Sequence, residues 1–383
     1  MILHELISYD VLRVIWWLLL GILLVGFAVT DGFDLGAAAL LRATGKTDVE
    51  RRVVINTIGP VWEGNQVWLI LGGGAIFAAW PMLYAISFSG FYLAMFAVLV
   101  CLIVRPVAFK FRSKRDSATW RNTWDWLLTL SGWGAALVFG VAVGNVLLGV
   151  PFRLTDDLRM FWEGGFFDLF TPFALLCGLV SLCMLLMHGA VWLVFKTEGV
   201  VQERASRWGM VAALLTVLLY LAAGLWLAKL QGYVLTEPMS TVGPSNPLFK
   251  SAGVAEGAWL VNYAKQPVLW IVPALGLLMP LIAAWAIKGR HEWTALLSSG
   301  VGIAGIILSV GVSMFPFIRP SSVDPGMSLM VWDASSSHLT LFIMLVSTSI
   351  FLPIILAYTS WVFHIMRGKV KEEEIEGGKG HAY

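Results

Sequence analysis

Apolar residues fall in long blocks along this chain, with few polar interruptions. Nine blocks stand out, at roughly 14–41, 53–80, 83–108, 124–150, 166–195, 208–230, 267–287, 294–316 and 339–365. Each reaches the ~20 residues that an α-helix needs to cross a hydrocarbon core. Backbone in lipid must satisfy its own hydrogen bonds, so such blocks predict helices rather than an open sheet. The pattern predicts an all-α polytopic membrane protein: nine transmembrane helices in one integral membrane domain, 1–383. Trp80, Pro81 and Met82 mark a tight turn between the second and third blocks. Pro60, Pro273 and Pro280 lie inside blocks and read as kinks.

Charge sets the orientation. Nineteen of the 26 Lys and Arg residues fall at alternate block ends: Arg42–Arg52, Arg105–Arg121, Lys196–Arg207, Lys288–Arg290 and Arg367–Lys379. The cation-rich side of a membrane protein is cytoplasmic, so the N-terminus is expected outside and the C-terminus inside. The first ten residues carry no basic n-region, and the first block is expected to be kept. One connection is long, 231–266, and reads as an ordered outer loop. The tail KEEEIEGGKG reads as a solvated charged end.

Composition agrees. The chain is 58% hydrophobic and 13% charged, about half the ~25% charge of a soluble domain. Nineteen tryptophans suit anchors at the membrane interfaces. A net charge of +2 adds little, and no nucleic-acid partner is expected. Cys101, Cys177 and Cys183 stand apart in apolar blocks, without the spacing of a thiol-held metal site.

The chemistry begins with GFAVTDGFDLG, which puts Asp31 and Asp34 inside the first block. Ionisable groups at such depth default to functional roles. Asp31 lies 11 residues before Arg42, and Glu63 lies 11 residues after Arg52. At 1.5 Å per residue both sit ~16 Å below the inner surface, which predicts that they face each other across the first two helices. Asp34 lies one turn nearer the cytoplasm on the same side of its helix. Asn56, Asn65 and Gln66 add polarity, and Gly32 and Gly36 form a small-xxx-small step for a close helix. The favoured reading is a proton path through Asp34, Asp31 and Glu63. The competing reading is that these acids only bind polar groups on neighbouring helices.

Of six histidines, only His188 is well inside a block, and one such residue cannot hold a chain of hemes. Met184 and Met187 read as apolar filler. Cofactors, if this chain serves an enzyme, are expected on another subunit.

Read together, RVIWWLLLG, TDGFDLG, ERRVVINTIGPVWEGNQVWLI, GGGAIFAAWPMLYA, FSGFYLAM, RPVAFKFRSK, GNVLLGVPF, MFPFIRPSS and LMVWDASSSHLTL resemble subunit II of the cytochrome bd-type quinol oxidases over nearly the whole length. That resemblance implies a non-heme-ligating subunit of an inner-membrane terminal oxidase of bacteria, which oxidises quinol and reduces dioxygen to water. It implies two four-helix bundles plus a peripheral helix. It also implies a partner subunit I with two b-type hemes and a d-type heme, small single-helix subunits and, in some members, a structural quinone. By the same resemblance Asp31, Asp34 and Glu63 serve cytoplasmic proton uptake, with Glu63 one methylene longer than an Asp in that place. Trp68 of WEGNQVW then borders an oxygen path, with simple packing as its alternative. An ion-coupled secondary transporter is the competing function. It predicts paired helix breaks in two halves of the chain.

Overall fold

A computed structural model describes residues 3–376. The helices are α1 (Tyr9–Thr44), α2 (Asp48–Ile58), α3 (Trp62–Ala79), α4 (Pro81–Gly90), α5 (Tyr92–Phe111), α6 (Ala118–Leu148), α7 (Pro172–Lys196), α8 (Gly199–Leu227), α9 (Val261–Lys265), α10 (Ile271–Lys288), α11 (Glu292–Met314), α12 (His338–Ile365) and α13 (Glu372–Glu376). Among the described residues, eight stretches are long and apolar enough to cross a membrane: α1, Tyr92–Lys114, α6, α7, α8, Pro267–Lys288, α11 and α12.

The expected second span departs from a single kinked helix. α2 opens on a capping box: Thr47 accepts from the Glu50 N–H, and Glu50 accepts from the Thr47 N–H. It stops at Ile58, and the chain restarts as α3 at Trp62. Pro60 is therefore a break rather than a kink. It has no N–H to give, and its ring would collide with the carbonyl four residues earlier. The Thr57 carbonyl left free by the break accepts from Trp192 Nε1 of α7 at 3.2 Å. A second interruption separates α4 from α5 at Phe91. There Gly90 lies so close to Trp162 that a Cβ would come within 2.1 Å of the indole.

α1 is the central helix. It packs on α3, α6, α7 and α11. Its contact with α7 is backbone to backbone: a Cβ on Gly36 would lie 1.9 Å from the Leu185 carbonyl oxygen, and one on Gly189 2.3 Å from Ala37 N. α7 is thus the close neighbour that the glycine step admits. α6 approaches from another side, with Gly132 against Leu35 and Ala39. These crossings fix the rotation of α1 and therefore the direction of its carboxylates. α8, α10 and α11 pack in sequence around α7. α12 lies at the periphery against α1 and α3, with Leu341 its one buried residue.

Loops cover the end where α1 begins. Three antiparallel hairpins lie there: β1 (Phe152–Leu154) with β2 (Met160–Trp162), β3 (Gln231–Leu235) with β4 (Ala252–Glu256), and β5 (Phe317–Arg319) with β6 (Leu329–Met330). Arg13 is fully buried and ties α1 to this layer through Thr241 O, Gly243 O, Ser245 and Ser335. Lys250 and Asp333 form a buried ion pair at 2.7 Å beside it. At the opposite end the tail is docked through Ile375, while its charged residues Lys371, Glu372 and Glu373 stay exposed as expected. Lys196 Nζ donates to the Met366 carbonyl, Lys369 pairs with Glu292 at 2.5 Å, and α13 packs on α2 with Ile375 buried. The rest of the tail, 377–383, lies outside the described residues.

Candidate proton-handling site

Asp31 and Asp34 are both fully buried on α1. Asp31 faces α5. Its two oxygens accept from Arg105 Nη2, Oδ1 at 2.8 Å and Oδ2 at 3.1 Å, and Arg105 is fully buried as well. Asp34 faces α3 and accepts from Asn65 Nδ2 at 2.8 Å through Oδ2. The other oxygen of Asp34, together with Nε and Nη1 of Arg105, meets no hydrogen-bonding partner of the chain. Three helices thus converge on two carboxylates, one guanidinium and one amide, with bonding capacity left on both the acid and the cation.

Glu63 lies elsewhere. It is exposed on α3, so the expected pairing with Asp31 is corrected. Depth counting gave no rotation. The break at Gly59–Val61 resets the phase of the second helix, and Asn65 turns inward. Two positions earlier, ~200° around the axis, Glu63 points away. Its neighbours on that face include Val67 and Ile70, both exposed. Gly64 and Gly74 are exposed with open space where a Cβ would stand, whereas Gly72 is buried on the opposite side of the helix.

Trp68 is buried and lies against Gly26, whose Cβ would meet the indole at 2.7 Å. It stands one turn beyond Asn65 on α3. His188 is a pin between three helices. Nε2 meets the Val29 carbonyl at 2.9 Å and Nδ1 meets Ser299 Oγ at 2.8 Å. His338 meets the Ile7 carbonyl through Nε2 at 2.7 Å.

Sequence reading missed two residues of this region. Arg105 reads in the sequence as one of the inner-end cations, yet it lies inside α5. Its signal was its place ahead of Pro106, well short of the Lys110–Arg115 run. Asp125, in WDWLL, is fully buried at the start of α6 and holds Arg51 at 2.9 Å and Arg112 at 2.5 Å. That knot joins α2, α5 and α6 below the site.

Both the sequence and the fold have counterparts in known proteins. The sequence profile of the family described as cytochrome bd terminal oxidase subunit II matches residues 12–366. This chain belongs to that family. It is 48% identical to the probable cytochrome oxidase subunit 2 of Haemophilus influenzae, over 98% of this chain and 100% of that protein. It is likewise 48% identical to the cytochrome bd-I ubiquinol oxidase subunit 2 of Escherichia coli K12, over 97% and 98%. The cytochrome bd ubiquinol oxidase subunit 2 of Bacillus subtilis is 30% identical over 94% and 97%. A chain of the bd oxidase from Geobacillus thermodenitrificans shares the fold, with TM-score 0.69 at 16% identity over 93% of this chain and 98% of that one. With eight membrane-length helices and respiratory relatives, a family member of this kind is a multi-pass protein of the inner membrane.

Proposed function

We propose that this chain is the subunit of a quinol:oxygen oxidoreductase that supplies a cytoplasmic proton-uptake route and a scaffold, while a partner subunit I ligates the b- and d-type hemes. The observation that carries this reading is the buried cluster of Asp31, Arg105, Asp34 and Asn65. Two carboxylates against one guanidinium are charge-balanced when they share one proton. Asn65 fixes Oδ2 of Asp34, which leaves Oδ1 to take or give that proton. Such a cluster stores a proton deep in the protein without a net buried charge.

The membrane topology belongs to the same proposal. Taking α2 with α3 as one broken crossing beside the eight long stretches gives nine, with the N-terminus outside. α1, α3, α5 and α6 then form one four-helix bundle. α7, α8, α10 and α11 form the other, and α12 is peripheral. Glu63 joins the path from the outside of its bundle. A carboxylate facing lipid is costly, by about 2.5–3.5 kcal/mol at mid-membrane. We therefore place the Glu63 face of α3, with its uncovered glycines, against subunit I, where Glu63 hands protons on. Small single-helix subunits, quinol and dioxygen complete the assembly.

Heme ligation by His188 or His338 does not fit their surroundings. Both ring nitrogens of His188 are engaged within the helix bundle, and His338 is bonded to the Ile7 carbonyl. The transporter alternative gains nothing from the family match. The test is gentle purification through a tag on this chain, followed by a reduced-minus-oxidised spectrum. Co-purifying b- and d-type bands support the assignment, and a colourless chain without a partner contradicts it.

A further inference from the structure

We propose that the corner where α1, α2, α5 and α6 meet at the cation-rich end binds the headgroup of an anionic phospholipid. Residues 42–52 and 110–125 hold nine Lys and Arg but four Asp and Glu. The acids are already engaged. Asp125 holds Arg51 and Arg112, Asp48 holds Arg112 and Arg121, Asp116 holds Arg121, and Glu50 holds Arg204. Lys110, Lys114 and Arg115 are exposed, and no ion pair among the described residues engages them.

The other turns at this end are close to balanced. Residues 196–207 have three cations and two acids, 288–292 two and one, and 367–376 three and four. A general inner-side bias would not concentrate the excess at one corner. Aromatic rings also mark the corner as interfacial. Arg42 lies over Trp126 at 4.2 Å and Arg115 over Trp120 at 4.8 Å, while Trp120 Nε1 donates to the Phe111 carbonyl. Toward the membrane, Phe111, Ile103, Leu127 and Leu130 are exposed and offer a face for acyl chains. Uncompensated cations above an apolar face match a net-negative headgroup carried on hydrocarbon tails. A zwitterionic lipid or free phosphate meets only half of that chemistry.

The experiment titrates the purified oxidase complex with phosphatidylglycerol or phosphatidylcholine and follows the first bound lipid by native mass spectrometry. Wild type is expected to bind phosphatidylglycerol about tenfold tighter. The preference should shrink as salt is raised, because the cations are exposed. The K110Q/K114Q/R115Q variant should lose it, and an R207Q/K288Q control should keep it. Inorganic phosphate should not displace the lipid. Equal affinity for the two lipids in wild type, salt-independent preference, a preference that survives in the triple variant, or displacement by phosphate would each overturn the proposal. If an acidic segment of the partner covers the corner, equal affinities follow and the proposal falls. The salt series needs no variant, so the test stands even if the triple variant fails to assemble.

Discussion

Arg105 gives one nitrogen, Nη2, to both oxygens of Asp31, and neither side chain has any exposed surface. Removing one partner of such a pair strands the other charge. Arg105→Met is expected to destabilise the complex by roughly 3–5 kcal/mol, whereas the double variant Asp31→Leu with Arg105→Met recovers most of the loss. Thermal loss of heme absorbance in the purified complex measures both. A double variant no more stable than the single one would show that the pair is not a closed unit.

Asn65 is the one side chain that donates to Asp34 among the described contacts. Asn65→Leu keeps the volume close and removes the donor. A hydrogen bond to a charged group is worth roughly 1.5–3 kcal/mol, so quinol-driven oxygen consumption should fall about tenfold or more. Heme content should hold. Unchanged turnover would separate Asp34 from the rate-limiting proton step.

The helical class and the burial of Asp31 and Asp34 were legible in the sequence, because membrane length and buried charge are one-dimensional signals. Rotation was not. Which face of α3 turns inward depends on how Pro60 breaks the chain, and that decided between Glu63 and Asn65. Arg105 was hidden for a related reason. A cation five residues from Lys110 reads as part of a loop until the helix carrying it is seen to continue. The docked tail was missed because Ile375 is a single apolar residue among glutamates.

The crossing of α1 and α7 sets where both acids point. Gly36→Ala forces a methyl group against the Leu185 carbonyl, at 1.9 Å without relaxation. A cost of about 1–3 kcal/mol and a lower complex yield are expected. Gly224→Ala, at a position of α8 with open space, serves as control. Equal melting temperatures for the two variants would contradict the close crossing.

Glu50 links the cap of α2 to Arg204 of α8 at 2.7 Å. Burial acts to raise its pKa, but the N–H groups of Lys46 and Thr47, with Arg204, outweigh it and hold the carboxyl below the ordinary glutamate value. Its stabilising contribution is complete above that ordinary value and disappears as pH falls through the lower folded value. Glu50→Gln should therefore melt below wild type by a constant margin between about pH 6 and 8, and the two should converge in acid. A margin that persists in acid would assign the effect to packing.

The central claim is that a proton passes through the Asp34 carboxyl on its way to oxygen chemistry in the partner subunit. Asp34→Asn removes the exchangeable proton and leaves the shape. The most direct measurement is quinol-driven oxygen consumption of the assembled Asp34→Asn complex, normalised to its b- and d-type heme absorbance. Turnover that collapses with hemes retained is the predicted result. Full turnover per heme would contradict the account.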